Sequence, residues 1–260
     1  MTRIVGKSRQ GHIISRYPFA LGPRGTAIFA VLVLLAMTLV GQVILQSGVA
    51  AALGAGPAAD LTAPPVVLGV LVAGQLVLLG AGWWAATRWL SALPIRVPSG
   101  GEWRWLVGAL GVNYVLFGLS RVATGWLGVE SPPDVLTQAA GAAPWLLLVV
   151  AVLSIVLIGP AEETFYRGAI QGRFQLAFGP IAAILGAGLL FALPHMLNYV
   201  LVGSTPLAPG AVIDVATVFA TGSVMGYAYE RTNNLTVPVL LHGIYDASLF
   251  LAVFAGLLAF

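Results

Sequence analysis

Long apolar runs, interrupted by short clusters of proline, glycine and charge, dominate the hydropathy pattern of this chain. No ionisable residue occurs from Gly25 to Ala59 or from Leu61 to Thr87. A helix that crosses the hydrocarbon layer needs about 20 mostly apolar residues. Seven stretches meet that requirement, at about 27–48, 65–87, 105–127, 144–173, 180–202, 210–229 and 236–258. Breakers mark the gaps between them at Pro57, Pro64-Pro65, Pro94, Pro98 to Gly101, Pro132-Pro133, Gly179-Pro180 and Pro206 to Gly210. The pattern predicts an all-α, polytopic transmembrane helix bundle of seven spans, or eight if the last stretch breaks near Gly243. The first run is too long for a signal peptide and lacks a convincing small-residue cleavage site, so it reads as an uncleaved span. Residues 1–26 form a basic leading segment and 27–260 one transmembrane domain, without an internal repeat or a soluble domain.

Composition narrows the picture further. Of the 260 residues, 59% are hydrophobic and 8% charged, with a mean hydropathy of +0.96, where an ordinary soluble domain carries roughly 25% charge. A water-soluble globule of this size needs a polar skin that this chain cannot supply. Soluble enzymes, disordered segments and DNA-binding domains are excluded, and the lipid bilayer becomes an expected partner. The chain has no cysteine, which removes disulfides, thiolate metal sites and a thiol nucleophile. The net charge of +3 and pI near 9.5 do not indicate a nucleic-acid partner. Five of the 12 basic residues, Arg3, Lys7, Arg9, Arg16 and Arg24, precede the first span, and cytoplasmic segments collect Lys and Arg. With seven alternating spans, the loops on that same side hold Arg88, Arg96, Arg104, Arg173 and Arg231, while the opposite loops hold Asp60, Glu130 and Asp134. The asymmetry predicts a cytoplasmic N-terminus.

Ionisable groups inside a span are expensive and demand a reason. The fourth stretch carries Pro160, then Glu162, Glu163 and Arg167. If its helix runs on to about Phe174, both carboxylates lie near its middle; if it ends at Gly159, they are loop charges. Pro160 would kink the helix, because its missing N–H frees a carbonyl one turn earlier. Glu163 and Arg167 stand at i,i+4 and can pair, which leaves Glu162 to face a cavity. The fifth stretch carries His195 and, one turn on, Asn198; the seventh carries His242 and Asp246, again at i,i+4 on one face. Drawn side by side, Glu162, His195 and His242 fall within a layer about 10 Å thick. One carboxylate base, a proton carrier and oxyanion donors are what hydrolysis needs. In the sixth stretch, Gly222 and Gly226 give the small-xxx-small spacing of closely packed membrane helices.

These residues resemble the CPBP (CAAX-protease and bacteriocin-processing, or Abi) intramembrane endopeptidases, similar to the type II CAAX prenyl proteases. Glu162-Glu163-Thr-Phe-Tyr-Arg167 is similar to the EExxxR motif, Phe191-Ala-Leu-Pro-His195 to FxxxH, and His242-Gly-Ile-Tyr-Asp246 to HxxxN/D, over about residues 145–250. The resemblance implies an intramembrane cavity in which Glu162, helped by His195, activates water, while His242 and Asp246 stabilise the oxyanion. Glu163 and Arg167 would support them, with Arg167 meeting a substrate carboxylate. Asp246 departs from the Asn of prenyl proteases, and an ionised carboxylate cannot donate to an oxyanion. It is therefore protonated, or it orients His242 and the donor is another group, for which Asn198 is a candidate.

The expected activity is hydrolysis of a membrane-associated peptide or protein, prenylated or not, by glutamate-activated water. No cofactor and no metal is expected; a His₂-Glu zinc site is the less favoured alternative. Two other classes fit the same spans: a non-catalytic scaffold or immunity protein on this fold, and a proton-coupled transporter. The latter usually spreads its polar residues over inverted repeats, whereas here they concentrate in the C-terminal half, with Arg121 of the third span as the exception.

Overall fold

The computed structural model describes residues 22–53, 62–90 and 92–256. The described residues are 83% helix, with no strand among them, and include seven helices long and apolar enough to cross a membrane. The spans are α1 (Pro23–Ala52), α2 (Pro64–Trp89), α3 (Gly100–Leu127), α5 (Leu146–Phe178), α6 with α7 (Pro180–Ala192, His195–Val200), α8 (Pro209–Thr232) and α9 (Thr236–Phe254). A short helix α4 (Val135–Ala142) precedes α5, capped by the Asp134 side chain on the Thr137 N–H at 2.8 Å. Arg3, Lys7, Arg9, Arg16 and Asp60, which entered the topology argument, lie outside the described residues.

Local chemistry explains where the boundaries depart from the hydropathy pattern. Helix α3 begins at Gly100, before the apolar run does, because Ser99 and Glu102 form a capping box that satisfies the first free N–H groups. The Glu102 carboxylate also accepts two bonds from Arg96, at 2.6 and 2.5 Å. Arg96 in turn donates to the Thr232 carbonyl at 3.2 Å, and Leu235 N–H donates to the Pro94 carbonyl at 2.7 Å. The extended stretch before α3 is thereby fastened to the α8–α9 turn. At the other end of the bundle, Arg121 lines a cleft of about 360 Å³ together with Asp134 and Asp214. Helix α9 runs unbroken past Gly243, and no eighth span forms among the described residues.

Helix α5 is the centre of the bundle, packed against α2, α6 and α9. Its ladder widens to π geometry over Ser154–Ile158 and again over Thr164–Gln171. The widening, with the Gly159 N–H reaching back to the Ser154 carbonyl, sits immediately before Pro160. The missing N–H of Pro160 is thus accommodated in a wider ladder, as in the π-bulges found near functional sites. The helix continues to Phe178, so Glu162 and Glu163 are mid-span residues and not loop charges.

Glycines set the close crossings. A Cβ on Gly243 would lie 2.9 Å from the Ile155 Cα and 2.9 Å from the Ser154 carbonyl, and one on Gly82 would lie 2.7 Å from the Phe165 Cα. Backbone cannot yield as a flexible side chain can. Gly243→Ala is therefore expected to push α9 from α5 and destabilise the protein by about 1–3 kcal/mol, read as a lowered unfolding midpoint in detergent. An unchanged midpoint would show that this crossing has slack.

Candidate active site

Five of the residues singled out in the sequence converge where α5 meets α9. The Glu163 side chain is fully buried, and its Oε1 accepts from Arg167 Nη1 at 2.9 Å and from His242 Nδ1 at 2.8 Å. Arg167, also fully buried, donates with Nη2 to the Gly222 carbonyl at 2.7 Å and lies 4.6 Å over the Phe191 ring. One turn later on both helices, Gln171 donates to the Gly226 carbonyl at 2.9 Å. The Gly222/Gly226 spacing thus lets α8 approach and presents two backbone carbonyls to polar side chains of α5. Arg167 thus lies fully inside the protein, with Nη1 on Glu163 and Nη2 on the Gly222 carbonyl.

His242 is 3% exposed. With Nδ1 committed to Glu163, its Nε2 lies 3.2 Å from Asp246 Oδ2 and 3.9 Å from Glu162 Oε2. Both carboxylates reach the more open side of the cluster, with side-chain exposures of 14% for Glu162 and 26% for Asp246. Of the two readings for Asp246, the geometry matches orientation of His242. Glu162 is anchored from a helix outside the motif region: Gln75 Nε2 on α2 donates to its Oε1 at 2.8 Å.

His195 joins the group indirectly. Pro194 ends the α6 ladder, and His195 opens the short α7, so it stands at a break instead of deep inside one continuous helix. Its Nδ1 donates to the Phe191 carbonyl at 3.1 Å, which in the neutral ring leaves Nε2 as the acceptor. The Phe191 ring meets both imidazoles edge-on, His195 at 5.3 Å and His242 at 5.6 Å between centroids. Asn198 is exposed and makes no side-chain hydrogen bond among the described residues, so the structure does not bring it to the cluster.

Two contributors escape a reading for ionisable groups alone. Gln75 is a neutral amide in an otherwise apolar span, and the cost of a buried polar group was the signal that could have flagged it. Phe191 was legible as part of a motif, but its position between two imidazoles follows only from the packing of α6 on α5 and α8. Among the described residues no group of three or more His, Asp or Glu is arranged to hold a metal ion.

The whole cluster falls within a region that matches a known family. Residues 144–248 match the family model described as type II CAAX prenyl endopeptidase Rce1-like. No curated protein and no solved structure gives a match to the chain. The matched region spans α5 to α9 and contains Glu162, Glu163, Arg167, His195, His242 and Asp246, whereas Gln75 lies outside it. Over residues 144–248 this seven-span chain is thus similar to the Rce1-like type II CAAX prenyl endopeptidases, a match consistent with the CPBP/CAAX protease family.

Proposed function

We propose that the protein is an intramembrane endopeptidase that cleaves a membrane-associated or lipidated peptide with water activated by Glu162. The observation that carries this reading is a single arrangement. A partly open carboxylate, Glu162, faces the Nε2 of an imidazole whose other nitrogen is fixed by a buried ion pair. In the proposed cycle Glu162 takes a proton from water as its oxygen attacks the scissile carbonyl carbon. His195, with Nε2 free, assists that transfer. The developing oxyanion accepts a hydrogen bond from His242 Nε2–H, which Asp246 holds in place until substrate arrives. When the tetrahedral intermediate collapses, the C–N bond breaks and the Glu162 carboxyl returns its proton to the leaving amine. Glu163 and Arg167 act as supports, because they keep the His242 ring from turning. The N-terminus is proposed to be cytoplasmic, from the arginine bias of the loops on its side. A prenylated C-terminal peptide is the first substrate to try, on the strength of the family's description.

Glu162→Gln is expected to preserve expression and folding and to abolish cleavage of a farnesylated CAAX peptide in proteoliposomes; substantial residual turnover would remove Glu162 from the base role. Asp246→Asn should retain cleavage, since the amide can itself donate to the oxyanion. Asp246→Leu should lose about 10²-fold in kcat, the usual effect of losing one such group. Equal activity of the Asn and Leu variants would count against any role for this position. The reaction is proposed to need no metal. Activity should therefore survive excess chelator, and a stoichiometric, tightly bound zinc found by elemental analysis would overturn that.

A further inference from the structure

We infer that Gln75, on α2 and outside the matched region, is the positioning residue of the general base. The inference rests on the proteolytic reading above and names the group that makes Glu162 competent for it.

Three observations converge. Gln75 is 7% exposed, and its Nε2 donates the one hydrogen bond that Glu162 Oε1 receives among the described residues. A glutamate has three rotatable side-chain bonds, so an unanchored one with a partly exposed side chain would populate several rotamers. The bond from Gln75 occupies Oε1 and leaves Oε2, the oxygen that faces His242 Nε2 at 3.9 Å, available for water. Second, Gln75 Oε1 is buried with no hydrogen-bond partner among the described residues. An amide held this way costs folding free energy, because its acceptor is desolvated and unpaired. An aliphatic side chain of the same volume would avoid that cost, so the benefit lies in the bond to Glu162. Third, α2 is held in register for this contact. Gly82, two turns further on the same face, lets α2 come within contact of the Phe165 backbone. On its other side, Gln42 and Gln46 of α1 donate to the Gly74 and Val70 carbonyls at 3.3 and 3.2 Å. The neighbours of Gln75 are thus organised from both sides, and a one-residue slip of α2 would carry the amide out of reach.

The role is positional: Gln75 touches Glu162, and Glu162 touches the reacting water. Misplacing a catalytic group by about 1 Å costs about 10²-fold. Gln75→Met conserves length and approximate volume but cannot donate. In proteoliposomes with a farnesylated CAAX peptide as probe, it should lower kcat about 10²-fold with KM within about twofold. Its unfolding midpoint should stay equal to or above that of the wild type, because the unpaired carbonyl is gone. Gln75→Glu, which keeps the shape but sets a second carboxylate against Glu162, should be at least as impaired. In the Glu162→Gln background Gln75→Met should have no further effect on the residual rate. A separate readout needs no turnover: the infrared carboxylate band that disappears in Glu162→Gln should move in Gln75→Met. An unchanged kcat, a loss confined to KM, or an unmoved band would overturn the assignment. If the wild type cleaves no peptide while the band still moves, the positioning contact stands and the proteolytic reading falls.

Discussion

One buried carboxylate oxygen organises the interior of this protein. Glu163 Oε1 receives both the Arg167 guanidinium and the His242 imidazole, and through them it links α5 to α8 and α9. In a low-dielectric interior such a group persists only when its charge is compensated and its donors are aimed at it. Removing one partner would leave an uncompensated charge among three helices, at a cost of about 3–5 kcal/mol. The rest of the cluster is arranged around this constraint. His242 cannot rotate without giving up Glu163, so its Nε2 must face the open side where Glu162 and Asp246 wait.

The backbone irregularities of α5 and α6 serve the same arrangement. A regular α-helix through Pro160 would leave a carbonyl unpaired and the following side chains at fixed 100° steps. The two π segments accommodate the proline and re-space the polar residues around it, so that Glu163, Arg167 and Gln171 face α8 and α9 while Glu162 turns to α2. On α6 the helix breaks at Pro194, and the His195 side chain beyond it donates back to the Phe191 carbonyl.

The exposed apolar surface fits the same picture. Large side chains such as Phe29, Leu39, Val122 and Ile181 are exposed on the outer helices, which is the expected outside of a bundle solvated by lipid. Buried polar and charged side chains such as Gln75, Glu163, Arg167, Gln171, Thr221 and His242 instead lie within, on α2, α5, α8 and α9. The interior is held by directed hydrogen bonds and close glycine crossings more than by hydrophobic exclusion, since lipid tails are as apolar as leucine.

The number and order of the spans were written in the sequence, because a bilayer requires long apolar stretches and the breakers between them are local. The pairing of Glu163 with Arg167 was legible for the same reason, since i,i+4 geometry belongs to any helix. The partners of these residues were not. That His242 spends Nδ1 on Glu163, that Arg167 is sealed against the Gly222 carbonyl, and that an amide from α2 holds Glu162 are contacts between residues 55 to 87 positions apart. Periodicity constrains one helix at a time and carries no record of which faces meet. Only the packing of α2, α8 and α9 around α5 supplied the long-range partners that seal the Glu163–Arg167 pair and anchor Glu162.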